Sequence, residues 1–367
     1  MLKIQEFLSV SSSTEDKLTL LKKRLGVVSI RHPKYSNLIH FKYNKRFDID
    51  WSGELIKECR GIILDEKKSW KVVSYPFYKF FNYGEKYAAK IDEKNSVVQP
   101  KLTGELCVMY AYDNDWQVST LTSPSANGDV GPYTFSFAEF FWKTFYNMRL
   151  GLPHVDCNHC FFFELTSKYN QTVVRYKEPN LTLLGARNTE TNKEISAKSA
   201  DKLFGIDAPI VESYPFVSYD DVIDVFNHTD PTENEGFVAF DGINRVQLIH
   251  PGFLSLNYAR GGLSRRAFLE IVRTGEKDEV LSIFPEFREI CEDLEDKVED
   301  FITELEMKYN TLKFIADQKE FANEALKTKC SGAMFAMRAK QTKSVRDYIM
   351  DMRLEYLAIA LKLDQAS

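Results

Sequence analysis

A chain of 367 residues, 44% hydrophobic and 28% charged, is long enough for two packed units and too apolar to be disordered throughout. Its formal net charge of −5 excludes a protein that coats nucleic acid indiscriminately, because such binding rests on many phosphate-neutralising lysines and arginines. A local basic cleft stays open.

Met1–Glu6 is already polar and lacks a cleavage-site pattern, so no secretion signal is expected. No apolar run approaches the ~20 residues that span a bilayer, so no membrane partner is expected either. Short apolar, β-branched runs bounded by turn residues then recur at 61–64, 71–74, 106–110, 172–176, 181–184 and 236–240, and each predicts a strand. Short connections favour antiparallel sheets. The aromatic-rich stretch 135–148 reads as a helix. From about Ser264 the pattern changes to amphipathic helices, with Ile290, Leu294, Val298, Ile302 and Leu305 recurring every three or four residues. The composition therefore divides at 1–261, an α+β region, and 262–367, all helical. Lys329, Arg338, Lys340, Lys343 and Arg346 lie on the later helical stretch, either as a solvated face or as an RNA contact.

Six cysteines in a chain with no secretion signal read as reduced thiols. His154, Cys157, His159 and Cys160 combine zinc-ligand types, but no second cysteine pair at finger-like spacing follows, so ordinary thiols are the first expectation.

Neither a P-loop nor a strand-linked G-x-G-x-x-G occurs. The segment Val97–Leu106 instead delivers Lys101 at a strand end, with Gly104 permitting a tight turn before the next strand. Burial and nearby cations favour the free amine of such a lysine, the form that attacks an α-phosphorus. K-x-x-G alone is weak evidence. It gains weight from the ordered company of Arg60-Gly61, Lys79-Phe80-Phe81-Asn82, Phe163-Glu164, Asn170 and Glu235-Gly236.

Across roughly residues 50–260 this order resembles the ATP-dependent RNA ligases of bacteriophage type, covalent lysine nucleotidyltransferases associated with sealing broken tRNA anticodon loops. The resemblance implies a nucleotidyltransferase domain with antiparallel sheets around a nucleotide pocket, followed by an all-α domain concerned with RNA selection. It implies that Lys101 takes AMP from ATP, passes it to the 5′-phosphate of RNA, and that a 3′-hydroxyl displaces it. Magnesium or manganese is the implied metal, at Glu164 and Glu235. Arg60, Lys79, Phe81, Gly104, Glu164, Glu235 and Gly236 are the implied nucleotide-binding positions. A cytoplasmic home is implied, the host's for a viral protein. The plainer alternatives are an Arg60 pair with Glu58 or Asp65, an outward-facing strand position for Lys79, and salt-bridged edge carboxylates at 164 and 235.

Two departures stand out. Thr103 occupies the place, two after the lysine, where the family usually carries an acidic or other polar residue near the metal. Gln247 and Ile249 occupy the two lysine places of the usual K-x-K pair, leaving Arg245, His250 or Arg260 as substitutes. Basic residues are also missing from 122–125 and at Gln171. Three activities are compatible with these losses. They are full ligation, sealing of pre-adenylated strands with poor use of ATP, or a degenerate homologue that binds RNA ends or nucleotide without catalysis.

Overall fold

The computed structural model describes residues 1–363 apart from 46, 48, 131, 132, 134, 171, 262–264 and 284. Two compact units emerge, Met1–Asn44 with Ile49–Asn257, and Lys45–Asp48 with Tyr258–Ser367.

Three sheets build the first unit. One runs Val27–Arg31, Leu38–Tyr43, Arg60–Asp65, Lys71–Ser74 in spatial order, antiparallel throughout. A second runs Glu194–Ser196, Asn180–Asn188, His159–Thr166, Glu105–Tyr112, Asp115–Thr120, again antiparallel. The third runs Tyr214–Pro215, Val97–Pro100, Gly236–Phe240, Arg245–Ile249, Phe81–Asn82, and only its last pairing is parallel.

The apolar run Phe161-Phe162-Phe163 is explained by a strand covered on both faces. Phe161, Phe163 and Leu165 pack with Phe140, Phe141 and Phe145 of the Phe137–Asn147 helix, while Cys160 and Phe162 pack with Phe77, Val108 and Tyr110. That helix starts where the sequence says it should. Ser136 accepts the Glu139 N–H while the Glu139 carboxylate takes the Ser136 N–H, which satisfies two end groups of the first turn. In the third sheet Val98, Ala239 and Leu248 face Phe216, Val222 and Phe226, so the register turns Gln99, Val238 and Gln247 to the opposite face.

Five of the six predicted strands occur. The sixth, 172–176, is a series of bends, although Val173 and Val174 are buried as a strand residue would be. Its backbone pairs with no sheet, and the segment is anchored by its side chains, with the Tyr176 hydroxyl accepting the Thr103 N–H at 3.2 Å. Periodicity reports burial, and here burial comes without a ladder.

The second unit packs the helices Arg265–Thr274, Arg288–Leu312, Gln318–Ala325, Ser331–Arg338, Val345–Asp351 and Leu354–Ala360 around Leu294, Val298, Ile302 and Leu305. Three of its basic residues are engaged inside this unit. Lys329 pairs with Glu304 at 3.2 Å, Arg346 pairs with Glu299, and Arg338 donates to the carbonyls of Ile315 and Ala316.

Candidate active site

Lys101 follows directly on the Val97–Pro100 strand, and its N–H donates to the Gly236 carbonyl at 2.8 Å, which extends the pairing one residue further. Glu235, immediately before the Gly236–Phe240 strand, is thereby set opposite. Its carboxylate contacts both members of the lysine segment, Oε1 receiving Lys101 Nζ and Oε2 receiving the Thr103 hydroxyl at 2.5 Å. The ammonium side chain is 25% exposed and the carboxylate 11%, so the pair is mostly buried but still reaches solvent. Thr103, expected to be a weakness, instead fixes the second oxygen of Glu235.

Gly104 is required by packing. A Cβ there would meet the Leu165 carbonyl oxygen at 2.4 Å, so only glycine lets the lysine segment lie against the Glu164 strand. In that position the Gly104 backbone donates to the Glu164 carboxyl group. Burial pushes Glu164 up to about 8; the Lys101 ammonium pulls the other way, and the carboxylates of Glu235 and Glu105 add to the rise. Glu105, on the neighbouring strand, is pushed up to about 7 by burial. Lys101, Thr103, Gly104, Glu164, Glu235 and Gly236 thus come together. Glu105 and Tyr176 join them without having been singled out, although Glu105 follows directly on Gly104 of the K-x-x-G segment.

A pH dependence follows. A carboxyl group raised in the folded chain holds its proton where the unfolded chain has lost it, so its stabilising effect is complete below the ordinary value of 4.5 and is lost as pH rises to about 8. Glu164→Gln is expected to flatten the fall in stability between pH 5 and 8, by at most ~1.4 kcal/mol per pH unit. Melting curves of both proteins across that range check it, and parallel curves would contradict it.

Arg60, Lys79 and Phe81 form a second group. Lys79 Nζ lies 4.4 Å from the Phe81 ring centroid and 5.7 Å from that of Trp51, and the Arg60 guanidinium lies 5.3 Å from that of Phe80. Arg60 donates to the Phe77 carbonyl at 3.4 Å. Its suggested acidic partners are engaged elsewhere, Glu58 with the N–H groups of Lys3 and Ile4, and Asp65 with Asn37 and Tyr112. Phe81 pairs with Val246 on the same sheet that carries Lys101, at its far edge. Of this group only Phe81 belongs to the sheet that Lys101 extends, while Arg60 begins a strand of the first sheet.

A family model described as RNA ligase matches residues 58–245. The chain belongs to the RNA ligase family. An RNA ligase of Rhodothermus phage RM378 is 28% identical over 345 residues, covering 77% of this chain and 78% of that one. A protein of Autographa californica nuclear polyhedrosis virus, named for a combined polynucleotide kinase/RNA ligase, is 26% identical; 90% of this chain matches 49% of its length. Among solved structures, an Aquifex aeolicus protein named as an ATP-dependent DNA ligase aligns with a TM-score of 0.43 at 12% identity, covering 81% of each chain. The Naegleria gruberi RNA ligase with PPi gives 0.34 at 13% identity, covering 52% of this chain and 66% of that one. These two scores are too low to add to the argument.

Family membership sharpens the departures. Gln247 and Ile249 lie on the sheet face that Lys101 shares, pairing with Val238 and Gly236. Arg245 is on that face too, but its guanidinium is bound by Glu194 and lies 3.8 Å and 4.6 Å from the ring centroids of Phe240 and Phe77. Arg187 shares the same carboxylate at 2.9 Å. His250 is a turn residue, its Nδ1 accepting the Gly252 N–H at 3.0 Å and its Nε2 3.3 Å from the Thr229 carbonyl. Neither is placed as a phosphate-binding cation. Gln171 and the Arg260 side chain lie outside the described residues. Residues 122–125 close a small turn through Thr120 and Asn127.

The zinc alternative finds no geometry. Among the described residues no group of three or more His, Cys, Asp and Glu is placed to hold a metal. Cys160 points into the core toward the Tyr75 and Arg187 carbonyls, whereas His154 is 80% exposed. Among those residues no such group stands at Glu164 and Glu235 either, so a divalent ion there would be held by two carboxylates at most. The donor set suits a hard cation.

Proposed function

We propose that the chain is an ATP-dependent RNA ligase that joins 5′-phosphate and 3′-hydroxyl ends through lysyl-AMP and RNA-adenylate. The contact of Lys101 Nζ with Glu235, itself held by Thr103 and beside Glu164, is the observation that carries this reading. Nζ attacks the α-phosphorus, a P–N bond forms, and pyrophosphate leaves. An oxygen of the RNA 5′-phosphate then displaces the lysine, and the 3′-hydroxyl oxygen finally displaces AMP. Every step is an in-line displacement that gathers negative charge, so electrostatic stabilisation dominates. Glu164 and Glu235 would hold magnesium or manganese, which would supply charge neutralisation. Arg60, Lys79, Phe81, Gly104 and Gly236 line or shape the nucleotide path. In this reading residues 1–261 form the adenylyltransferase domain, and the helical region from 262 selects the RNA, with broken tRNA in the cytoplasm, or the host cytoplasm for a viral protein, as the setting. Incubation with α-labelled ATP and magnesium or manganese should give a covalently labelled protein; no label and no sealing of RNA ends would contradict the proposal.

A second reading, a degenerate homologue that binds RNA ends or nucleotide with weak or no adenylation, is favoured by Gln247 and Ile249. Removing a single preorganised donor to a transition state costs on the order of 10²–10³ in rate. Gln247→Lys with Ile249→Lys should therefore raise the labelling rate at least tenfold, measured in a time course against the parent chain. An unchanged rate would mean that other groups already neutralise the α-phosphate.

A further inference from the structure

We infer that a cavity beside the Phe137–Asn147 helix holds one unpaired nucleotide of the RNA substrate, its base on an aromatic floor and its phosphate at Lys143 and Lys168; the inference rests on the RNA-joining reading of the Lys101 site. The cavity, of about 340 Å³, lies within the first unit, between that helix and the segments that leave the His159–Thr166 strand and enter the Asn180–Asn188 strand. Its size is at the lower end of ligand pockets, enough for a single nucleotide and too small for a duplex. It lies on the outer face of the second sheet. Leu165 packs toward the helix, whereas Glu164, one residue earlier, faces the Lys101 site, so a ligand here does not compete with the nucleotide to be transferred.

The floor is a fixed group of rings. Phe135 lies 5.4 Å from Phe140 and 5.7 Å from Tyr169 between centroids, and Phe140 lies 5.6 Å from Tyr169, so each ring is braced by the other two. Phe140 is buried, while Phe135 and Tyr169 are half-buried and keep part of their surface open to the cavity. Such a surface takes any base, because every base has a face to stack. At the rim Asn147 is exposed, and its amide offers both a donor and an acceptor to the edge of a base.

Charge at the mouth selects a nucleotide over a bare ring. Lys168 Nζ lies 5.3 Å from the Tyr169 ring centroid, and Lys143 stands on the helix across from it. Of the two carboxylates nearby, Glu139 is committed to the Ser136 cap, which leaves Glu178 against two cations. A phosphodiester matches that balance, whereas an apolar peptide would leave both lysines unmatched. The site is also tied to the lysine segment. The Tyr169 N–H donates to the Ser167 hydroxyl at 3.1 Å, and the next residue, Asn170, donates Nδ2 to the Leu165 carbonyl at 2.7 Å, the same carbonyl that Gly104 lies against. One short turn therefore joins the cavity wall to the segment that carries Lys101.

The test is fluorescence-polarisation titration of the full chain with a 5′-phosphorylated single-stranded RNA and with the same strand made abasic at each position in turn. One abasic position should cost the parent chain about tenfold in affinity. Tyr169→Leu should cost as much on the intact strand and become indifferent to that abasic position, the pattern expected of two partners in one contact. Should Tyr169→Leu fail to fold, Phe135→Leu replaces it with the same expectation. Lys143→Glu, on the exposed helix face, should weaken intact and abasic strands alike and lessen the salt dependence of binding. No abasic position that matters in the parent would overturn the inference, as would ring variants whose loss persists in full on the abasic strand, or RNA affinity unchanged in every variant. Displacement of the strand by AMP from the parent but not from Tyr169→Leu would make the cavity a mononucleotide site and also overturn it. A parent chain with the abasic sensitivity described that forms no lysyl-adenylate and seals no RNA would sink the ligase proposal and leave this inference standing; one that seals RNA without that sensitivity would do the reverse.

Discussion

Lys101→Ala is expected to abolish covalent labelling by α-labelled ATP while retaining the sealing of a chemically pre-adenylated RNA. The lysine supplies the only bond to the enzyme in the sequence of displacements, and once AMP is on the RNA that bond is no longer made. In the proposed reading Glu235 and Glu164 are untouched by the substitution. The loss of labelling should be complete, because the Cβ of alanine carries no nucleophile, whereas sealing should fall by much less. Side-by-side assays of the two steps check this, with a melting curve to confirm that the variant folds. Residual label in Lys101→Ala would assign the nucleophile elsewhere. Equal loss of both steps in a folded variant would make Lys101 a binding residue.

Gly236→Ala is the second large effect. Gly236 has φ +147°, and a Cβ built there meets the Leu248 carbonyl oxygen at 2.2 Å and the Ile249 Cα at 2.9 Å. Both belong to the backbone of the paired strand and cannot swing aside as a side chain would. The strands Gly236–Phe240 and Arg245–Ile249 must part, and Glu235, one residue upstream, shifts off Lys101 and Thr103. Strain of this kind costs roughly 1–3 kcal/mol for the conformation, with the clash in addition. The expected result is a melting point lowered by several degrees together with a labelling rate down at least a hundredfold. A variant with parent-like stability and labelling would show that the strand pairing around Glu235 is not what positions the carboxylate.

How much of this was legible in the sequence differs by scale. Lys101, Glu164 and Glu235 could be named through the resemblance of their motif order to the RNA ligases, and strand pairing then sets Glu235 against Lys101. Thr103 was read as a departure because a sequence lists a residue type, whereas its value lies in the Glu235 oxygen it reaches 132 positions away. The Glu194 node was invisible for the same reason: its partners Arg187 and Arg245 are 7 and 51 positions distant, and only folding shows that Arg245 is already committed. The strands Val27–Arg31 and Leu38–Tyr43 mix Ser29, Arg31, His40 and Lys42 with apolar residues, which hides their pattern, yet His40 is fully buried, with burial holding its imidazole down at about 3. At 172–176 the opposite error arose, a buried β-branched run without a partner strand.

The account turns on one bond, between Lys101 Nζ and an α-phosphorus. Incubation of the intact chain with ATP and magnesium or manganese, followed by digestion and mass spectrometry, tests it most directly. The account predicts one adenylate, carried on the peptide that contains Lys101 and released by pyrophosphate. An adenylate on any other residue, or none under conditions where RNA ends are sealed, would contradict it.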